Sequence, residues 1–280
     1  MSIDALQNKI RKMKNPSALM LAPTRAQIPP DMSTGEYCCA LLKGLKEILP
    51  AVRVNVGAFL LLGTDGLEAM EAVLKKAKEL GYYLILDWLR LEDPSGAAEA
   101  ADRILREERW PCDAVVISGY AGTDCIKPWF RAAGQQKDVY VVVKTANKSG
   151  SEIQDLQTGG RMVFTAAADL LSRMGESAME RCGYSRLAVM AGAYNAASLR
   201  TLREKYPRMF LLVDGLDATG CNAKNVSYAF DRLGHGALVC AGTSIVGAWK
   251  EIEGCADPVA AAVEAGERMQ RNITRYVTVL

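Results

Sequence analysis

Histidine is nearly absent from this chain of 280 residues, because His235 is the only one. A single histidine weakens any Ser-His-Asp or Cys-His catalytic scheme. The eight cysteines never stand in a C-x-x-C spacing, so we expect no structural zinc, no other metal and no disulfide framework. We predict a structural role for His235, which lies in a Gly-His-Gly turn, and a role as small buried apolar residues for most cysteines.

Long apolar runs and an excess of one charge are also missing. No run approaches the roughly 20 residues of a membrane span, and residues 1–14 are polar and amphipathic, unlike a signal peptide. The 34 basic and 32 acidic side chains give a net charge of +2, which offers no electrostatic case for nucleic acid or a membrane surface. We therefore expect a cytoplasmic protein.

What the chain does have is a regular alternation of short apolar runs and longer amphipathic segments. The runs lack polar alternation, as strands buried on both faces of a parallel sheet do. They are Ala18–Leu21, Val52–Val56, Leu84–Asp87, Ala114–Ile117, Val139–Val143, Leu187–Met190, Phe210–Val213 and Ala237–Cys240. Helices are predicted at Gly66–Leu80, Ala97–Arg109, Met162–Ser177, Ala196–Lys205, Lys224–Leu233 and about Pro258–Arg275.

Eight such units predict an α/β fold, a single (β/α)8 TIM barrel with an N-terminal helix and one domain over residues 1–280. The runner-up is an open doubly wound sheet. The barrel is favoured by the count of eight and by the absence of a G-x-G-x-x-G after the first strand.

The C-terminal ends of barrel strands are where function resides. The third strand delivers Asp87, and a second acid follows at Glu92, or at Asp93 if one residue is inserted. The fifth strand is followed by the longest irregular segment, from Thr145 to about Gly160, which carries the pattern T-x-N-x-S-G-x-E-x-Q-D-L from Thr145 to Leu156. Long loops at this end of a barrel usually carry the site.

Together these segments resemble the bacterial branch of the orotidine 5'-phosphate decarboxylase family. The segment from Asp87 is similar to that family's D-x-K-x-x-D, and G-Y-x-G-x-D-x-x-K-P follows the fourth strand. The frame Gly215…Ala218…Gly220 resembles the phosphate loop PGxGAQGG. The resemblance covers nearly the whole chain. It implies a TIM barrel, a homodimer in which one subunit's acid enters the other's site, and a nucleotide or other phosphorylated small molecule as ligand, without a cofactor.

The resemblance also implies site residues. The catalytic candidates are Asp87, Glu92 and Arg53, with Leu89 at the position of the family's lysine. The candidates for ligand binding are Thr145, Asn147, Gln154, Gly215, Gly220 and Thr243.

Several positions depart from the family pattern. Leu89 replaces the lysine that protonates the ring carbon after carbon dioxide leaves, and leucine supplies neither charge nor proton. At the other positions, Ala22 stands for a ribose-binding aspartate, Ala146 for a serine that contacts the pyrimidine, Asp214 for a proline, Thr219 for a glutamine and Thr243 for a phosphate-binding arginine. The ribose, base and phosphate ends of the pocket are thus all changed.

Three hypotheses follow. The first is a paralogue deficient in decarboxylation, acting as a binding or regulatory protein, as a homodimer or as a heterodimer with an intact relative. The second is an enzyme of altered chemistry that uses Asp87, Glu92 and Arg53; the third is a true decarboxylase of pyrimidine biosynthesis. Structural alternatives also stand, in which Asp87 and Glu92 are a solvated pair or cap the next helix, and the loop from Thr145 to Leu156 only binds its own backbone.

Overall fold

The computed structural model describes residues 1–87, 93–217 and 221–280. Its strands are β1 Ser17–Leu21, β2 Ala51–Asn55, β3 Tyr83–Asp87, β4 Ala114–Ser118, β5 Asp138–Lys144, β6 Gln157–Thr158, β7 Arg161–Met162, β8 Ser185–Gly192, β9 Met209–Asp214 and β10 Ala237–Ala241. Eight of them pair in parallel and close in the order β1-β10-β9-β8-β5-β4-β3-β2, while β6 and β7 form a separate hairpin. The predicted (β/α)8 barrel is confirmed, and all eight predicted strands are present.

Helices surround the barrel. They are α1 Ile3–Met13, α2 Thr34–Leu45, α3 Val56–Leu60, α4 Thr64–Glu79, α5 Pro94–Ala101, α6 Thr123–Ala133, α7 Ser151–Gln154, α8 Val163–Gly175, α9 Ala196–Lys205, α10 Ala223–Ser227, α11 Thr243–Val246 and α12 Pro258–Thr274. Across the described ranges, no helix is both long enough and apolar enough to cross a membrane.

Burial on both faces explains why the strands read as unbroken apolar runs. Every residue of β5 and of β8 is buried, because the barrel interior covers one face and the outer helices cover the other. The four buried cysteines lie in this core or against it, at Cys38, Cys112, Cys125 and Cys240, and all eight cysteines are free thiols.

The lower end of the barrel, where the strands begin, contains a buried polar cluster. The Tyr83 hydroxyl donates to Asp138 Oδ2 at 2.6 Å and lies 3.3 Å from the Tyr140 hydroxyl. Burial raises the pKa of Asp138 to about 8, against a smaller lowering by the Tyr83 hydrogen bond. The Asp138 carboxyl therefore keeps its proton to a higher pH than an exposed aspartate does.

His235 also lies at this lower end, immediately before β10. Its ring is almost fully buried, and its backbone N–H donates to Asp231 Oδ1 at 2.8 Å. The predicted structural role of His235 is consistent with this position, which is opposite to the end where the strands finish.

One predicted helix is wrong in extent. The segment Lys224–Leu233 was expected to be helical, but α10 ends at Ser227. Tertiary hydrogen bonds compete with the helix here: Arg203 Nε donates to the Ala229 carbonyl at 2.8 Å, and Asp231 Oδ1 accepts from the Leu233 and His235 N–H groups, both at 2.8 Å. These bonds satisfy the backbone in a turn, so the helix gains little by continuing.

Two other segments also differ from expectation. The helix predicted at Ala97–Arg109 is α5 followed by a π-helical turn at Asp102–Arg106. The loop after β5 is more ordered than predicted, because it contains α7 and the β6–β7 hairpin.

Candidate active site

A buried arginine connects three strand ends at the upper end of the barrel, here called the mouth. Arg53 comes from β2, and its Nη2 donates to Asp87 Oδ2 at the end of β3 at 2.8 Å. Its Nη1 donates to Asp214 Oδ1 at the end of β9 at 2.7 Å. The barrel places β1 and β10 between β2 and β9, so the guanidinium reaches across the interior. Arg53, Asp87 and Asp214 thus form a cluster. It contains two of the predicted catalytic residues, Arg53 and Asp87.

Charge pairing dominates the electrostatics of this cluster. Burial alone lowers the pKa of the Arg53 guanidinium, but the charges of Asp214 and Asp87 outweigh it and raise that pKa above its ordinary value. Arg53 is therefore a permanent cation and a poor proton donor. Two carboxylates against one guanidinium leave the cluster with a net charge of −1 when both acids are ionised.

Asn55 completes the cluster and joins it to the next helix. Its Nδ2 donates to Asp87 Oδ2 at 3.0 Å, and its Oδ1 accepts from the Ala58 N–H at 2.9 Å, capping α3. The register pairs Asn55 directly with Asp87. Asn55 and Ala22 line an open depression of about 530 Å³ beside the mouth, which gives a ligand access to this side of the site.

The segment after β3 lies largely outside the described residues, and the predictions at Leu89 and Glu92 fall there. Asp93, the alternative position for the second acid, is described. Its Oδ1 accepts from Ser95 Oγ and from the Gly96 N–H, both at 2.7 Å. Asp93 therefore caps α5, which accounts for an acid at this place without a catalytic role.

The loop after β5 holds itself together through two of the predicted ligand-binding residues. Gln154 Oε1 accepts from the Thr145 N–H at 3.0 Å, and Gln154 Nε2 donates to Thr145 Oγ1 at 3.0 Å. A Cβ on Gly150 would lie 2.5 Å from Thr145 Oγ1, so glycine is required for this closure. Asn147 is exposed at the rim and is the predicted residue of this loop most open to a ligand.

The ends of β9 and β10 are tied to each other. Gly215 follows β9 with φ of 78°, a conformation that favours glycine. Asp217 accepts from the Gly242 N–H and from the Ser244 hydroxyl, so its carboxylate is engaged with the β10 end. Thr243 is the exposed first residue of α11, and the prediction at Gly220 falls outside the described residues.

Sequence reasoning missed two members of the cluster. Asn55 was not predicted as a site residue, and Asp214 was noted only as a departure from the family's proline. A signal for Asn55 was available, since it lies two residues after Arg53 and side chains two apart on a strand share a face. Within residues 1–87, 93–217 and 221–280, no group of three or more His, Cys, Asp or Glu side chains is arranged to hold a metal.

Comparison with known sequences gives relatives over most of the chain. An orotidine 5'-phosphate decarboxylase of Rhodopirellula baltica is 31% identical over 228 residues, which cover 78% of this chain and 74% of that protein. One from Clostridium tetani is 29% identical and covers 74% of each chain. No family model matches the chain.

Solved structures agree in fold. An OMP decarboxylase of Leishmania donovani superposes with a TM-score of 0.75 at 22% identity, covering 99% of this chain and 98% of that one. The orotidine 5'-monophosphate decarboxylase of Plasmodium berghei gives a TM-score of 0.76 at 13% identity, covering 98% of both chains. At such identities the likeness concerns the barrel alone.

Proposed function

We propose, from the premise that the chain belongs to the orotidine 5'-phosphate decarboxylase family, that its mouth binds orotidine 5'-phosphate and that it acts as a carboxy-lyase. The observation that carries this proposal is the 31% identity to a decarboxylase over 78% of the chain, on a barrel whose mouth retains Asp87 beside a fixed cation.

The mouth supplies one part of the chemistry. Decarboxylation breaks the bond between the pyrimidine ring and its carboxylate; carbon dioxide leaves, and the electron pair stays on the ring carbon until a proton forms the new C–H bond. The Arg53 guanidinium, held by Asp87 and Asp214, would stabilise that negative charge. Because its pKa is raised, Arg53 does not donate the proton, and we assign that donation to water.

A second candidate is a paralogue that binds the nucleotide without turning it over. Two features support it. By the resemblance, Leu89 falls at the position of the family's proton-donating lysine, and Arg53 already pairs with two carboxylates. A cation engaged in this way has less charge to offer a transition state than a free ammonium, since the two acids offset it.

One assay separates the candidates. Release of carbon dioxide from carboxyl-labelled orotidine 5'-phosphate is measured for the wild type, for Asp87→Asn and for Leu89→Lys, together with nucleotide affinity by calorimetry. Turnover that Asp87→Asn abolishes supports the carboxy-lyase. Binding without turnover, with activity gained in Leu89→Lys, supports the paralogue. If the wild type does not bind the nucleotide, both proposals fail.

We further propose that the mouth faces a second copy of the chain. Several large apolar side chains in the loops after the strands are exposed, among them Leu61 at 89%, Ile153 at 66% and Leu156 at 57%. Exposed apolar residues grouped at one end of a protein are typical of an interface. A homodimer through this face would cover them, and an intact relative could take the place of one copy.

A further inference from the structure

A groove runs down the outside of the barrel between α10 and α12, and its upper end reaches the residues that follow β9 and β10. Helix α10 has only 5 residues, whereas its neighbours α9 and α12 have 10 and 17. The short helix leaves the flank partly uncovered, and the resulting flank groove has a volume of about 580 Å³. Its floor is apolar and consists of Leu216, Ala241, Ala265 and Met269.

Three cations line the flank groove: Lys224 from α10, Arg268 from α12 and Arg275 immediately after α12. No ion pair joins any of them to an acid in the part of the chain that the structure describes. By contrast, Arg271 on the same helix pairs with Glu267 at 3.3 Å. The groove cations are thus available to a ligand.

One acid, Asp217, also lines the groove, but donors already surround its carboxylate. The Gly242 N–H and the Ser244 hydroxyl both donate to it. Three cations against one acid leave the lining with a net charge of +2. The groove therefore has an electrostatic preference for an anion.

The arrangement of these side chains along α12 points to a small molecule. Arg268, Asn272 and Arg275 are separated by four and three residues, so they share one face of the helix and span about 10 Å along its axis. The apolar floor and the half-exposed Tyr276 lie beside them. A volume of about 580 Å³ is within the range of small-ligand sites, about 300–1,000 Å³.

We propose that the flank groove is a second binding site, which takes a phosphorylated small molecule with a flat ring. Its phosphate would bind between Arg268 and Arg275, because guanidinium groups form paired hydrogen bonds with phosphate oxygens. Its ring would lie on the floor at Met269 and against Tyr276. The proposed phosphate and ring positions lie along α12 on the outside of the barrel and involve neither Arg53 nor Asp87, so this proposal does not depend on the decarboxylase proposal.

Calorimetry with adenosine 5'-monophosphate tests the proposal on the full chain. We expect the wild type to bind this probe, adenosine without its phosphate to bind at least tenfold more weakly, and Arg268→Ser/Arg275→Ser to lose about tenfold in affinity per arginine. The matched control is Arg271→Ser, which removes a paired arginine of the same helix and should leave the affinity unchanged.

Three outcomes would overturn the proposal. The wild type does not bind adenosine 5'-monophosphate; the double variant binds it as tightly as the wild type, which places the probe elsewhere; or inorganic phosphate binds as tightly, which removes the role of the ring. If the double variant does not fold, as judged by circular dichroism, Lys224→Gln replaces it, and an affinity equal to that of the wild type then counts against the site.

Discussion

At the residue scale, the mouth depends on Arg53. Its side chain is only 4% exposed, and the two carboxylates that it binds lie within 2.8 Å. Neither acid has another cation among its described ion pairs. Because Arg53 is buried, the stability of the protein depends on keeping both of its ion pairs intact. An unpaired charge far from water is costly.

The substitution Arg53→Met should therefore destabilise the protein by about 3–5 kcal/mol, because it leaves Asp87 and Asp214 facing each other without a cation. Urea unfolding measures the change. The control Arg161→Met removes a half-exposed arginine that pairs with Asp169, and it should cost less than about 1 kcal/mol. Equal losses in the two variants would show that the mouth cluster adds nothing beyond an exposed ion pair.

A second residue-scale prediction concerns Asp138. Its pKa is raised from an ordinary value near 4 to about 8 in the folded protein. Between these values the unfolded chain releases a proton that the folded chain keeps, so the stability falls as the pH rises through this range. Below pH 4 and above pH 8 this contribution is constant.

Asp138→Asn should remove that dependence, because an amide does not ionise and can still accept from the Tyr83 hydroxyl. The free energy of unfolding of the wild type should fall relative to the variant by up to about 1.4 kcal/mol per pH unit. Urea titrations at pH 5, 6, 7 and 8 measure the difference. The exposed Asp65→Asn serves as the control; parallel curves for the wild type and Asp138→Asn would contradict the prediction.

At the element scale, a side-chain N-cap marks the start of six of the twelve α-helices named above. Asp257 precedes α12 and accepts from the Val259 and Ala260 N–H groups at 3.0 and 2.9 Å, with Pro258 in the first turn. The sequence predicted this start because proline fits a first turn. It did not predict the end of α10, because the bonds from Arg203 and Asp231 that end it come from the tertiary fold.

Asp257→Ala should destabilise the protein by about 1 kcal/mol, because two backbone donors of α12 lose their acceptor. Asp257→Asn keeps a side-chain oxygen and should stay close to the wild type. Thermal unfolding of the three proteins measures the order. If Asp257→Asn loses as much stability as Asp257→Ala, the effect comes from the negative charge at the helix start and not from the hydrogen bonds.

At the scale of the whole molecule, the barrel was predictable and much of the mouth was not. Eight apolar runs indicate eight buried strands, since burial on both faces leaves a direct mark on composition. The bond between Arg53 and Asp214 joins residues 161 positions apart, and no local pattern encodes which inward side chains meet across a barrel. Likewise, only the structure shows that Thr145 and Gln154 bind each other.

The proposed dimer gives a prediction at this scale. Leu61→Asp and Ile153→Asp place charges on the exposed apolar face of the mouth and should convert a dimer into monomers, as measured by sedimentation velocity. Leu233→Asp, at the lower end and 49% exposed in the wild type, is the control and should remain dimeric. A wild type that sediments as a monomer would rule out the homodimer.

The contact from β2 to both β3 and β9 has a mechanical consequence. Because the bond from Arg53 to Asp214 links β2 and β9, which are not neighbours in the barrel, widening the mouth would separate opposite charges where little water can replace them. The ion pairs of Arg53 with Asp87 and Asp214 therefore hold the ends of β2, β3 and β9 at a fixed separation across the opening. Fluctuations that open the barrel should begin elsewhere, so backbone amides at the ends of β3 and β9 should be among the slowest to exchange with deuterium.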